Sequence, residues 1–250
     1  MELTDYRESD AEKKRTDDLI RLIPKGGTTV LDVGARDGHF SKIFTGHFES
    51  VTALDLEKPT ITGKGIHSVA GDVTNLNYGD KSFDLVFCAE VLEHIPQHLL
   101  ENACNELSRV TKDFLLIGVP YKQDTRVGRT TCYSCGKKNP PWGHVNSFTA
   151  KKLENLFNNF DVVEISLIGN STTRTNFLSS LLMDYAGNPY GTYGQEEHCV
   201  HCNKELRLPP TRTFLKKLAT KTAFYITKTQ QLFYKKTPSW IHILFKKRNF

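Results

Sequence analysis

The amino-acid sequence predicts an α/β fold in which a mainly parallel sheet carries helices on both faces. Short apolar, β-branched runs alternate with amphipathic helical stretches, which is the pattern of repeated strand-helix-strand units. Glycine or aspartate stands at the end of the first three of these runs, where α/β sheets bind ligands. A length of 250 residues suits one such domain with insertions.

The predicted elements follow one another along the chain. An amphipathic helix over about 9–22 ends at Pro24 and the glycine pair that follows it. Strands are then predicted at TTVLDVGA, SVTALDL, IHSVAGDV, FDLVFCAE and FLLIGVP, with a helix over 96–110 before the last of these. The later elements are a helix at FTAKKLENLFNNF, a strand at DVVEISLIG, a Lys-rich helix over 211–235 and a final strand at SWIHILFKK.

Two segments interrupt this series. Residues 121–146 are rich in Gly, Pro and Lys, and residues 170–236 hold a second cysteine pair and the Lys-rich helix. Connections this long inside a compact domain are usually functional. Both leave from the carboxyl ends of predicted strands. We therefore expect a single domain over 1–250 in which the two insertions form a cap over the substrate.

The charge of the chain is unevenly distributed. The net charge is +5, yet residues 211–250 contain ten Lys or Arg and no acidic residue, so the first 210 residues carry −5. A basic tail favours an anionic partner, although a packed helix with a solvated lysine face also explains it. The polar start and the lack of a long apolar run predict a cytoplasmic protein, in which cysteines stay reduced.

The stretch VLDVGARDGHF places Gly34 and Gly38 directly after the first strand. Glycines there let backbone N–H groups and a helix N-terminus approach a ligand closely, although such turns also occur for packing alone. Asp55 ends the second predicted strand, where a carboxylate can hold ribose hydroxyls. Asp72 ends the third, within reach of an adenine amino group. The three strand ends predict a nucleoside-binding crevice.

These residues resemble class I S-adenosylmethionine-dependent methyltransferases of the methyltransferase type 11 kind. The motifs VLDVGARDGHF, ALDLE, GDVTNLNYGDKSFDLVFCAEVLEHI and LLIGVPY appear in order over about 28–121. The resemblance implies a Rossmann-like, doubly wound, seven-stranded sheet with an antiparallel last strand. The sequence departs from the family's pattern at Arg36, where a glycine is common. A nicotinamide-dependent dehydrogenase fits less well, because Arg36 replaces the second glycine of its G-x-G-x-x-G loop.

The resemblance also implies S-adenosylmethionine as the cofactor and assigns residues to it. By that resemblance, the residues near the methionine part would be Asp32, Gly34, Ala35, Gly38 and Ala89. Asp55 and Leu56 would bind the ribose, and Asp72 and Val73 would flank the adenine.

Two CxxC pairs stand in the two predicted insertions. Cys132 with Cys135, and Cys199 with Cys202, make a Cys₄ set suited to tetrahedral zinc. Because protein would fill all four positions, such a zinc would be structural and would clip one insertion to the other.

Other interpretations of the cysteines stay open, since 63 residues separate the two pairs. One alternative is a redox-active CxxC, with Cys88 and Cys104 merely buried. The other is a metal site in which His198 or His201 replaces one cysteine.

His144 and His94 are the candidate catalytic residues. Methyl transfer from a sulfonium needs an aligned acceptor, and a hydroxyl acceptor must also lose its proton, for which histidine is the usual base. His144, in GHVNSF, stands where similar sugar and small-molecule methyltransferases place a histidine, although it also fits a helix-entry residue that caps or packs. His94, in EVLEHIP, stands with Glu90 and Glu93 where the wider family shapes its cofactor pocket.

The predicted function is O-methylation of a sugar that is free, nucleotide-linked or part of a surface glycan, because EVLEHIP and GHVNSF resemble bacterial glycan and small-molecule enzymes most. Trp142, Tyr190 and Tyr193 are candidates for stacking on the sugar ring. Alternatives are RNA methylation with phosphates gripped by the basic tail, another small-molecule N- or O-methylation, and a non-catalytic cofactor-binding scaffold. The helix over 211–235 would suit a lipid-linked acceptor and contact with the inner membrane face.

Overall fold

The computed structural model describes residue 7 and residues 9–248, and the chain divides into two compact units. The first unit comprises residues 1–121, 148–169 and 238–250. The second comprises residues 122–147 and 170–237, so it holds nearly all of the two segments predicted as insertions. Their role as a substrate cap stays a prediction.

The first unit is built on a seven-stranded sheet with the order β3-β2-β1-β4-β5-β9-β8. Strands β1 to β5 pair in parallel, whereas β9 lies antiparallel between β5 and β8. The expected doubly wound sheet with an antiparallel last strand is therefore confirmed. Its strands are β1 (Thr29–Val33), β2 (Ser50–Asp55), β3 (Ile66–Ala70), β4 (Phe83–Ala89), β5 (Thr111–Pro120), β8 (Phe160–Ile168) and β9 (Trp240–Lys247).

The central strands β1 and β4 are buried on both faces of the sheet, as parallel strands require, whereas the edge strands β3 and β8 are partly exposed. Along β1, Leu31 and Val33 pack into the larger of two core clusters, while Val30 packs into the other. The alternation follows from the two-residue period of a strand. Cys88 and Cys104 lie in the larger cluster as buried core residues.

Four helices of the first unit are α1 (Asp10–Arg21), α2 (His39–Phe44), α3 (Leu100–Val110) and α4 (Ala150–Leu156). Helix α1 begins where the sequence predicts, because the Ser9 hydroxyl accepts a hydrogen bond from the Glu12 backbone N–H. Helix α3 begins at Leu100, four residues later than predicted. A separate turn precedes it, in which the Leu99 N–H donates to the Pro96 carbonyl at 2.8 Å.

The second unit contains a two-stranded hairpin and two longer helices. The hairpin pairs β6 (Thr130–Thr131) with β7 (Lys138–Asn139), and the helices are α5 (Phe177–Ala186) and α6 (Phe214–Gln231). Helix α5 was not predicted, because it lies within a long segment rich in turn residues, although Leu178, Leu181, Leu182 and Tyr185 recur at helical spacing. Its ends are nonetheless capped by Asn176 and by Gly187 in a left-handed conformation. Among the described residues, no helix is long and apolar enough to cross a bilayer.

Candidate functional site

The loop between β1 and α2 is left-handed at three positions. The φ angles are 76° at Gly34, 49° at Arg36 and 77° at Gly38. A side chain at Gly34 would collide with Val91, and a Cβ at Gly38 would lie 2.6 Å from Ile61. Both glycines are therefore required by conformation and by space. Arg36, where the sequence departs from the family's pattern, adopts this left-handed conformation without being glycine.

Asp55 fixes this loop to the carboxyl end of β2. Its Oδ2 accepts a hydrogen bond of 2.9 Å from the Arg36 backbone N–H, and its Oδ1 accepts one of 2.7 Å from the Leu56 N–H. The N–H groups of Gly34 and Ala35 donate to the Leu54 carbonyl. An ionised carboxylate has about four lone-pair positions, so acceptor capacity remains for a ligand's hydroxyl groups.

Asp72 and Val73 follow the end of β3, and Ala89 ends β4. Asp72 is exposed, and its Oδ1 accepts two hydrogen bonds of 2.8 Å from the backbone and the hydroxyl of Thr74. Val73 is buried, while Ala89 is half-buried. The ends of β1, β2, β3 and β4 are neighbours in the sheet, so these side chains stand along one edge of the first unit.

Asp32 behaves differently from the other carboxylates of this edge. Its side chain is buried, and its Oδ2 accepts a hydrogen bond of 2.5 Å from the Ser41 hydroxyl. Burial raises the pKa of the Asp32 carboxyl to about 7. Asp32 thus links β1 to α2 through Ser41. The resemblance had implied instead that Asp32 lies near the methionine part of the cofactor.

The EVLEHIP segment after β4 contains two carboxylates in unusual surroundings. Glu90 has a φ of 57°, and its Oε1 lies 3.8 Å from Arg15 Nη1. Glu93 is fully buried, and neither of its carboxylate oxygens has a hydrogen-bond partner among the described residues. Burial, and then the charge of Glu90, raise the pKa of Glu93 well above its usual value. Burial thus favours the neutral form of the Glu93 carboxyl.

His94 lies beside Glu93, with a ring nitrogen within 4.8 Å of a Glu93 carboxylate oxygen. Burial, and then the charge of Arg36, lower the pKa of His94 to about 4. The ring is consequently neutral at physiological pH. A neutral imidazole of such low pKa is a weak base, which favours a pocket-shaping role for His94 over proton abstraction.

The four predicted cysteines lie together in the second unit. All four sulfur atoms are within 4.8 Å of one another, with Cys132 Sγ 3.7 Å from Cys202 Sγ and Cys135 Sγ 3.8 Å from Cys199 Sγ. These separations are too long for disulfide bonds. Tetrahedral zinc with Zn–S bonds of ~2.3 Å would set its sulfurs about 3.8 Å apart, so the cluster fits that ion.

The two cysteine pairs have the same backbone turn. In the first, the Cys132 N–H donates to Lys137 O and the Gly136 N–H donates to Cys132 O. In the second, the same two bonds run from Cys199 to Lys204 and from Asn203 to Cys199. Gly136 and Asn203, which follow the second cysteine of each pair, both have positive φ. The sequence carried this signal as C-x-x-C-G-K and C-x-x-C-N-K.

The histidine alternatives to a Cys₄ set lose support. His201 Nε2 lies 3.0 Å from the Lys138 carbonyl, to which it donates, so that nitrogen has no lone pair for a metal. His198 is exposed and lies outside the cluster of potential ligands, which consists of the four cysteines. Burial raises the pKa of Cys132, but the N–H groups of Cys135 and Ser134 bring it to about 6. A thiolate ligand is thus accessible at neutral pH.

His144 is buried in the second unit, with its Nδ1 2.7 Å from Gln123 Oε1. Because an amide oxygen only accepts, Nδ1 carries the proton and the neutral ring has its lone pair on Nε2. Tyr193 is also buried, and its hydroxyl accepts from the Thr131 N–H and donates to the Gly187 carbonyl. Tyr193 therefore packs beneath its own loop and does not present its ring to a sugar.

Residues 31–114 match the model of a methyltransferase domain family, Methyltransf_11. Phosphoethanolamine N-methyltransferase 3 of Arabidopsis thaliana is 27% identical over 121 residues, which are 44% of this chain and 25% of that protein. The ubiquinone biosynthesis O-methyltransferase of Albidiferax ferrireducens is 30% identical over 89 residues, 31% of this chain and 35% of that protein. The matches thus span about a third or less of these relatives.

The fold is similar to that of the N-methyltransferase NodS from Bradyrhizobium japonicum WM9, solved in complex with S-adenosyl-L-homocysteine. The TM-score is 0.55 at 14% identity, over 97% of this chain and 90% of NodS. The likeness concerns the fold alone, since the identity is low. The family match and the named relatives support the same class of domain, that of an S-adenosylmethionine-dependent methyltransferase.

Proposed function

We propose that this protein transfers a methyl group from S-adenosylmethionine to a hydroxyl group of a sugar or surface-glycan acceptor. The observation that carries the transfer step is the edge of the first unit, where a left-handed glycine loop, Asp55 and Asp72 stand at neighbouring strand ends. The loop's backbone would receive the methionine part, Asp55 the ribose hydroxyls and Asp72 the adenine. Val73 and Ala89 would supply apolar walls.

The acceptor's proton would be removed by His144. Its Nδ1 is held by Gln123, which fixes the tautomer that carries its lone pair on Nε2. The methyl donor is already activated as a sulfonium, so alignment and proton removal are the enzyme's main tasks. Gln123 is the positioning residue in this proposal.

A sugar acceptor is supported by aromatic rings in the second unit. Tyr190 is 69% exposed and Trp142 is 48% exposed, and both rings are large enough to stack on a pyranose. The named relatives act in N-methylation of phosphoethanolamine and O-methylation in ubiquinone biosynthesis, which are reactions of small molecules.

We also propose that the four cysteines hold a structural zinc ion. Protein ligands would fill all four positions, so the metal would stabilise the second unit without binding the acceptor. Cys132 and Cys135 belong to one segment of that unit, and Cys199 and Cys202 to the other. The ion would replace a core that this small unit otherwise builds from few apolar residues.

Helix α6 supports contact with an anionic membrane. It packs through the small residues Ala219 and Ala223, while its opposite side exposes large apolar side chains. Lysines flank that apolar side, which is the composition of an interfacial helix. The exposed apolar residues of α6 and its C-terminal end are Phe214, Leu215, Leu218, Phe224, Tyr225, Leu232, Phe233 and Tyr234. A helix that binds RNA through lysines alone has no need of them.

The function is tested by transfer of labelled methyl groups from S-adenosylmethionine into a cell extract that is separated into glycan, nucleotide-sugar, lipid, RNA and protein fractions. Label in a glycan or nucleotide-sugar fraction, lost with His144→Ala, supports the proposal. Label in RNA or protein would contradict the proposal that the acceptor is a sugar or glycan. Cofactor binding without transfer into any fraction supports a non-catalytic scaffold instead.

Membrane contact is tested by sedimentation with vesicles of neutral or anionic lipid. The proposal expects binding to anionic vesicles that is lost when Leu218, Tyr225 and Leu232 are replaced by serine. A matched variant with serine at Thr222 and Thr229, two exposed positions of the same helix, should bind as before, because those side chains are small and polar already. Equal binding of the parent and both variants to the vesicles would contradict membrane contact through α6.

A further inference from the structure

A cavity of about 860 Å³ lies within the second unit. Helices α5 and α6 and the segments around Arg126 and Tyr190 line it. Its volume is in the range of small-molecule sites. Six cationic side chains and no Asp or Glu belong to the lining; the cations are Arg126, Arg129, Arg174, Arg212, Lys217 and Lys221. These cations come from distant segments of the chain, so no local sequence pattern marks them as a set.

Two of these cations are neutralised by acidic residues behind the cavity wall. Arg126 pairs with Asp124 at 2.8 Å and also donates to the Thr175 carbonyl. Arg129 Nε lies 3.3 Å from Asp184 Oδ1, and the same guanidinium donates to the Ser180 hydroxyl. These contacts hold both guanidinium groups in place.

The other four cations have no acidic partner among the described residues. Arg174, Lys217 and Lys221 form no ion pair there. Arg212 donates to the Thr220 hydroxyl at 3.0 Å, and its guanidinium lies 5.6 Å from the centre of the Tyr190 ring. Like charges that converge on one cavity repel each other unless an anion enters. The excess positive charge is therefore a feature of the cavity and not of a single side chain.

The same cavity has an aromatic side. Tyr190, Phe224 and Tyr225 belong to its lining and are 69%, 53% and 55% exposed. Guanidinium and ammonium groups recognise phosphate oxygens, while exposed rings contact a sugar, a base or an apolar chain. The cavity thus offers one surface for an anion and another for an uncharged group attached to it.

We propose that this cavity binds the phosphate or diphosphate group of an organic phosphate ester, with Arg174, Arg212, Lys217 and Lys221 as its ligands. Tyr190, Phe224 and Tyr225 would contact the group that the phosphate carries. The inference rests on the proposed function in one respect: it makes the acceptor a sugar carried on a diphosphate. A nucleotide-linked and a lipid-linked sugar share this chemistry.

The proposal is tested by calorimetric titration of the full chain with inorganic pyrophosphate, UDP-glucose and farnesyl diphosphate. The test variant replaces Arg174, Lys217 and Lys221 by glutamine. The matched control replaces Lys228, Lys235 and Lys236 by glutamine. It changes the net charge by the same amount, and these three lysines do not line the cavity. All six side chains belong to the second unit, and binding of S-adenosylhomocysteine reports that the first unit is intact.

We expect the test variant to bind pyrophosphate roughly tenfold more weakly or worse, and the control to stay within roughly threefold of the parent. Tighter binding of UDP-glucose or of farnesyl diphosphate than of pyrophosphate identifies the nucleotide or the lipid source. An equal loss in both variants, or no binding of any of the three compounds, overturns the site. Binding of an RNA oligonucleotide in preference to all three compounds also overturns it.

The outcomes separate this inference from the proposed function. If the protein methylates a neutral glycan but binds no phosphate ester, the proposed phosphate site is wrong and the proposed methyl transfer is still supported. If phosphate binding depends on the three cations but no phosphorylated sugar is methylated, the phosphate site is supported. The proposal that the acceptor is a sugar carried on a diphosphate is then wrong.

Discussion

The sulfur atoms of Cys132 and Cys202 lie 3.7 Å apart, although 70 positions separate the two residues in the chain. Cys135 and Cys199 approach each other in the same way. Four cysteine sulfurs this close together, without disulfide geometry, are stabilised when they coordinate a metal ion. The two identical turns that carry them are built from backbone hydrogen bonds, so the sulfurs are already oriented.

Zinc content is the first prediction. We expect about one zinc ion per chain, and we expect Cys132→Ser or Cys199→Ser to release it and to lower the free energy of unfolding by about 3 kcal/mol or more. Elemental analysis and denaturant unfolding measure the two effects. Cys104→Ser, outside the cluster, should keep the metal. A chain without metal whose cysteines form disulfides in mass spectrometry would contradict the prediction.

Cofactor affinity should depend on Asp55. Asp55→Ala removes the carboxylate proposed to accept from the ribose hydroxyls and also frees the Arg36 N–H that holds the loop. We expect S-adenosylhomocysteine to bind roughly tenfold more weakly or worse, because charge-assisted hydrogen bonds are lost. Calorimetry measures the affinity. Glu101→Ala, an exposed change on α3, is the control, and equal affinity of the two variants would refute the assignment.

His144→Ala should reduce kcat by roughly 10²- to 10⁴-fold and leave the affinity for S-adenosylhomocysteine unchanged, since only proton removal is lost. Gln123→Ala should give a smaller loss of kcat and a shifted pH–rate profile, because the His144 tautomer is no longer fixed. His47→Ala, at an exposed position, should have no effect. A profile that is the same in Gln123→Ala and the parent would leave Gln123 without a positioning role.

The pH dependence of stability should change with Asp32. The pKa of Asp32 is about 7 in the folded protein, above the usual 3.8, so the folded state retains a proton that the unfolded state releases. The stability contributed by Asp32 is complete below about pH 4 and is lost as the pH rises through about 7. Asp32→Asn cannot ionise and should therefore gain stability relative to the parent as the pH rises.

Urea unfolding at about pH 5.5 and about pH 8.5 measures this gain, which we expect to be about 2 kcal/mol between the two conditions. The comparison of variant with parent cancels other groups that titrate in the same range, such as His94 and His242. Asp17→Asn, at an exposed position on α1, should show no such difference. A constant gap between Asp32→Asn and the parent would mean that Asp32 is ionised throughout.

The sequence predicted those strands and helices whose signals lie within a few neighbouring residues. Strand β4 reads as a continuous apolar run because both faces of the sheet are covered, and helix α1 carries its own capping residue, Ser9. Helix α5 was missed because it is short and lies within a segment rich in turn residues, and it packs against α6, which is distant in sequence. The start of α3 was missed because a turn at Pro96 competes with the helix.

Local sequence patterns were enough to predict the alternation of strands and helices, the glycine loop, the carboxylates at the strand ends and the two cysteine pairs, because each depends on residues close together in the chain. Three features became visible only in the folded chain: Asp32 is buried while Asp55 is partly exposed, Tyr193 packs beneath its loop, and four cations without acidic partners share one cavity of the second unit. Burial and convergence of charge depend on residues that are distant in sequence, and only folding brings those residues together.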